Sequence, residues 1–145
     1  MLEAWGLTAK KNWSQVQVLQ NLVMRYIYNL HPRTPRVEMF NLAATSIVPI
    51  KALHHYTTCK FVFQALKNLT MINLKFEIGV GQIAQKNQTL HVARTFTSYG
   101  DNRISVNGAK LFNSLSSHIK DSKNLREFKD KCYKFYKINI NDFLN

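Results

Sequence analysis

A chain of 145 residues, 46% of them apolar, is long enough to bury one core and short for two, so a single domain is expected. Twenty lysines and arginines against eight aspartates and glutamates leave a formal charge of +12, spread along the whole sequence, which favours polyanionic partners such as nucleic acid. Two distant cysteines, Cys59 and Cys132, exclude a disulfide framework or a paired-cysteine zinc knuckle. No apolar run approaches the roughly 18 residues a membrane span requires. The first residues lack the basic and apolar pattern of a signal sequence, so the protein is expected in the nucleus or cytoplasm, not secreted and not in a membrane.

In chain order, Val16, Leu19, Val23, Tyr26, Ile27 and Leu30 recur at helical spacing, with Ser14 and Gln17 in the form of a capping box. His31-Pro32 should end that helix. Thr34-Pro35 opens a short helix to about Ala44 that buries Val37 and Phe40, and Pro49 opens a third to about Lys67, with Ile50, Leu53, Tyr56, Phe63 and Leu66 near one face. The middle changes character. Leu74 to Ile78 alternates apolar and polar as a half-buried strand does, and Thr89 to Arg94 and Arg103 to Val106 are two further extended candidates around the turn-like Ser98 to Asn102. Gly108 should end the last of these before a helix carrying Leu111, Phe112 and Leu115. A final helix, capped by Asp121 or Ser122, turns Leu125, Phe128, Cys132, Phe135 and Tyr136 inward and Lys123, Arg126, Lys134 and Lys137 outward. The expected fold is therefore mainly α, about five helices with a short two- or three-stranded β element in the middle. A helical segment 1–68 and a β-turn and helical segment 69–145 would form one compact unit.

Catalytic chemistry finds little purchase. Gly79-Val-Gly81-Gln-Ile-Ala84 fits a pyrophosphate-binding pattern, with Asp101 at a suitable distance for a ribose, but Gln82 to Gln88 is too short and polar for the crossover helix such a site needs. His55 and Cys59 lie one helical turn apart, yet a structural zinc takes four ligands and only the remote His118 and Cys132 could complete the set. The four aspartates stand singly, so no paired carboxylates are placed for two-metal nucleotidyl transfer. No catalytic residue, metal or cofactor is expected. Nucleic-acid binding is better served: Phe96 and Tyr99 lie in a polar loop between Arg94 and Arg103, with Lys110 nearby. Aromatic rings of that kind stack on unpaired bases while cations meet the phosphates.

Trp5-Gly6 followed by Val18-Leu-Gln-Asn21, Arg25 and Ile27 resembles the post-palm segment of jockey-like non-LTR retrotransposon reverse transcriptases, in which a WG pair precedes an LQN-x(3)-R-x-I helix. The second half is similar to the family's closing block. Leu90-His-Val-Ala-Arg94, Thr97-Ser-Tyr-Gly100, Gly108-Ala-Lys-Leu-Phe-Asn-Ser-Leu115, and then Leu125 with Phe128-Lys129 correspond in order to LHVPR, T-S-Y-G, GAKLWNSLP and a final SL-x-x-FK helix. Departures are Ala93 and Ser116 where the family has proline and Phe112 where it has tryptophan. In this block Gly108 would permit a tight strand-to-helix turn, and Asn113 is placed to cap or bridge.

The resemblance implies a segment downstream of the catalytic palm that supports template and primer, and none of the matching positions is catalytic. The expected function is a truncated fragment of an RNA-directed DNA polymerase, without polymerase activity. It would bind RNA or DNA weakly and without sequence preference, and self-associate through apolar surface left exposed at Trp5, Trp13 and Phe40. A small basic helical nucleic-acid-binding protein is the alternative, and a nucleotide-dependent enzyme a distant one.

Overall fold

The computed structural model describes residues 10–42, 47–67 and 89–144, and of residues 10–12, 98 and 99 the backbone alone. The described residues are mainly helical: α1 (Lys10–Ile27), α2 (Arg36–Leu42), α3 (Ile50–Leu66), the single turn α4 (Ser98–Asp101), α5 (Ile104–Asn113), the single turn α6 (Ser117–Lys120), α7 (Leu125–Ile138), and a 3-10 turn at Ile140–Phe143. None of these helices is long and apolar enough to cross a membrane.

The core forms around α3. Its apolar residues are distributed around the helix instead of along one stripe, and such a helix is stable only when surrounded. Ala52, Cys59, Val62 and Phe63 are fully buried, joined by His54 and Thr58, whose side chains hydrogen-bond at 3.2 Å. α1, α5 and α7 all pack against it. Phe63 of α3 and Phe128 of α7 stack with centroids 4.2 Å apart, and Phe112 of α5 lies 6.3 Å from Phe128. Truncating any of these three rings should cost about 3–5 kcal/mol. Residues on both sides of the 68–88 segment, from Val48 to Phe63 and from Leu90 to Tyr136, share this one core. It also brings together the two cysteines that sequence separation had set apart. Cys59 Sγ lies 3.4 Å from the Tyr136 hydroxyl, and the Cys132 thiol is pushed up by a hydrogen bond with Cys59 and by burial.

The expected β element is overturned: there is no strand among the described residues. The 74–78 candidate and the Gly79 to Ala84 pattern lie outside them. Residues 89–95 are non-helical, and Leu90 makes an isolated bridge without forming a strand. The Asn113 carboxamide takes both backbone groups of Leu90, accepting from its N–H and donating to its C=O at 2.8 Å each. Arg103 to Val106 is not extended either, because α5 begins at Ile104 and Arg103 is its N-cap.

Gly108 neither ends an element nor makes a turn. It sits inside α5, where an added Cβ would come 2.9 Å from Val62 Cγ2, so the glycine is what lets α5 approach α3. α1 starts at Lys10, leaving Ser14 inside the helix and no capping box there. It stops at Ile27, before His31-Pro32, because Asn29 adopts φ 48° and the Leu30 N–H turns back to the Arg25 carbonyl at 2.9 Å. Its docked face is the polar one. Asn21 and Met24 are buried, and the Gln17 and Gln20 side chains each accept from the Ile50 N–H at 3.1 Å, while Val16, Leu19, Val23 and Tyr26 face solvent. Phe40 is buried in a small cluster with Met24, Met39 and Ile140, not exposed, whereas Val37 is exposed. The cap of α7 is Asn124, which accepts from the Glu127 N–H at 2.8 Å while Glu127 accepts from the Lys123 N–H at 3.0 Å. Asp121 and Ser122 precede it, and the Ser122 hydroxyl donates to the Ile119 carbonyl instead.

Candidate nucleic-acid interface

The segment that carries the basic and aromatic candidates leaves the core at a fixed point. Leu90 is buried and Val92 packs beside it, with the Leu90 backbone anchored by Asn113, and from Ala93 to Thr97 the chain runs along the surface. The loop is then closed on itself. Thr97 Oγ1 accepts from the Gly100 N–H at 3.1 Å and so starts the α4 turn, and Thr95 Oγ1 donates to the Asp101 carboxylate at 2.6 Å. Gly100 fits under Thr95, where a Cβ would sit 3.2 Å from the threonine side chain.

On this scaffold Phe96 is 89% exposed, far outside the core. The Arg94 guanidinium lies over its ring, 5.8 Å from the centroid. At an exposed site that cation–π contact is worth about 0.5–1 kcal/mol, enough to bias the ring's posture without fixing it. Arg103 is exposed at the start of α5. Lys110 is exposed too, but its Nζ donates to Asp101 at 2.8 Å. That contact, ahead of the one from Thr95, holds the Asp101 carboxyl below its usual range. The Lys110 charge is therefore largely offset, and Lys110 serves more as a tie between α5 and the loop than as a phosphate contact. The Tyr99 side chain lies outside the described residues. Of the five candidates, Arg94 and Phe96 are brought into direct contact, and Lys110 is joined to the same loop through Asp101.

Asp101 is also the residue that the nucleotide-site pattern would have used for a ribose, and here it is engaged by Thr95 and Lys110. His55 and Cys59 do not share a site. His55 packs edge-on to Phe143 and Tyr136, Cys59 faces the Tyr136 hydroxyl, and no group of three or more metal-ligating side chains gathers among the described residues.

The loop's own braces, Thr95 and Thr97, were not identified from the sequence, although a threonine three residues before a glycine is a readable cap. A cavity between α1, α3 and the 3-10 turn was also missed. It is built from residues such as Arg36, Lys51 and Asn107, which no spacing connects. A second basic surface lies on the outer side of α7, where Lys123, Arg126 and Lys134 are exposed. Comparison of the chain with protein-family models, with curated proteins and with solved structures gave no match in any of the three.

Proposed function

We propose that this chain corresponds to the post-palm, C-terminal region of a jockey-like non-LTR retrotransposon reverse transcriptase, carries no catalytic residue of its own, and binds single-stranded nucleic acid weakly. The observation that carries the binding is Phe96, a large ring held in solvent beneath Arg94 on a braced loop. An exposed aromatic beside a guanidinium suits base stacking and phosphate contact together. The family reading has its own support. The LHVAR and GAKLFNSL stretches, which resemble two separate pieces of the family's closing block, are joined directly through the Leu90 backbone and the Asn113 side chain.

Fluorescence anisotropy with labelled single strands and duplexes over a salt series tests the binding. Affinity in the micromolar range or weaker, falling steeply with salt, is expected. Single strands should bind better than duplex, and Phe96→Ala should cost about 1–3 kcal/mol per lost base contact with the fold intact by circular dichroism. Absent or salt-independent binding at low ionic strength contradicts the proposal, as does magnesium-dependent primer extension by the purified chain.

Self-association is the second part of the reading, favoured by the solvent-facing side of α1. Val16, Leu19, Val23 and Tyr26 are spaced as the seam of a two-helix contact is, and Tyr26 is 90% exposed.

A further inference from the structure

A cavity of about 590 Å³ opens between α1, the first turns of α3, α5 and the 3-10 turn, within the roughly 300–1,000 Å³ of small-molecule sites. One wall is a run of rings: Trp13 lies 5.0 Å from His54, His54 5.9 Å from His55, and His55 5.2 Å from Phe143. Arg36 and Lys51 supply cations, and no aspartate or glutamate is among the described residues that line it. His55 is pushed down to about 4, first by burial and then by His54 and Lys51, so it is neutral at physiological pH. Asn102 and Asn107 add amide groups that both donate and accept, and Asn102 directly follows the α4 turn, so the cavity adjoins the loop that carries Phe96.

We propose that this cavity binds a single unpaired nucleotide, its base against the Trp13, His54, His55 and Phe143 wall and its phosphate on Arg36 and Lys51. The ring-lined wall suits a base, the two cations suit a phosphate, and the asparagines suit the edges of a base. The placement of that nucleotide within a strand rests on the nucleic-acid reading above. Affinity for a free mononucleotide does not.

The test is an NMR titration of the whole chain with adenosine 5′-monophosphate, following the Trp13 indole and the His54 and His55 ring signals, with adenosine and inorganic phosphate as separate probes. The monophosphate should shift all three residues saturably, with a dissociation constant on the order of 0.1 mM. Adenosine should bind about tenfold more weakly, and phosphate alone should leave the indole unmoved. Lys51 is exposed, so Lys51→Glu should fold normally by circular dichroism yet weaken the monophosphate at least about tenfold. No saturable shift by about 10 mM monophosphate overturns the proposal, and so does adenosine binding as tightly, or a Lys51→Glu protein binding as well as wild type. Oligonucleotide affinity measured in parallel separates the two readings. Binding of oligonucleotides without binding of the monophosphate removes the cavity proposal alone, and the reverse removes the strand-binding reading alone.

Discussion

Replacing Gly108 with alanine sets two effects of known size against each other. Gly108 is interior to α5, and alanine there should gain about 0.5–1 kcal/mol of helix stability by restricting the unfolded chain. The new Cβ, however, would stand 2.9 Å from Val62 Cγ2, with Thr58 Cγ2 at 3.6 Å and Ile104 Cγ1 at 3.7 Å. Carbon atoms pack at about 3.5–4.0 Å, so more than half an ångström has to be found at Val62. A β-branched residue in a helix has essentially one favoured rotamer, and Val62 is completely buried, so its methyl cannot swing aside and α5 must move away from α3. Such overpacking costs about 1–3 kcal/mol, which outweighs the helix term. The expected net effect is a destabilisation of about 1 kcal/mol, seen as a lower urea midpoint at unchanged slope. In a Val62→Ala background the methyl is gone, and the same glycine substitution should become neutral or stabilising by up to about 1 kcal/mol. Stabilisation in the wild type, or an equal effect in both backgrounds, would refute the close approach of α5 and α3.

Asn113→Ala strands both backbone groups of Leu90 and should lower the unfolding free energy by about 1–3 kcal/mol, whereas a loss no greater than at a surface site would mean the clamp is unimportant. His55 has a folded pKa of about 4 against 6.5 unfolded, so the unfolded chain binds the extra proton. Stability should be full above about pH 6.5 and fall toward pH 4 by up to about 3 kcal/mol, a slope that His55→Gln should remove from pH-dependent urea melts. Light scattering after size exclusion should show concentration-dependent association that Leu19→Glu with Tyr26→Glu abolishes, and a monomer at every concentration would dismiss that contact.

Legibility in the sequence followed how local the cause was. α3 and α7 were readable because Pro49 marks a start and because Phe128, Cys132 and Tyr136 recur every four residues along a buried face. The apolar stripe of α1 was readable, but the side of the helix that docks was not. Its apolar stripe points to solvent because two glutamine carboxamides serve the Ile50 N–H at the start of α3, a bond spanning about thirty residues that no helical pattern announces. Gly108 is the clearest case of an ambiguous letter. A glycine that breaks an element and a glycine that admits a neighbouring helix look identical until Val62 is placed beside it. Thr89 to Arg94 has the composition of a strand, but only Leu90 makes an isolated bridge, with the Asn113 side chain bonded to its backbone.

The loop at Phe96 was legible because an aromatic ring among polar residues has no helical face to join. The cavity was not, because Trp13, Arg36, Lys51 and Asn102 come from separate parts of the chain. The cap of α7 was misplaced by two or three residues, although Asn124 and Glu127 carry the spacing of a cap within the sequence itself.

The most direct test of nucleic-acid binding at this loop is ultraviolet crosslinking of a single-stranded oligonucleotide to the folded protein, followed by mass-spectrometric mapping of the attached peptide. The account places the dominant crosslink on the segment from Arg94 to Arg103, centred on Phe96 and lost in Phe96→Ala, because stacking brings a base against that ring. Crosslinks concentrated on α7 beside Lys123, Arg126 and Lys134, and unchanged by Phe96→Ala, would contradict it and assign the contact to the other basic surface.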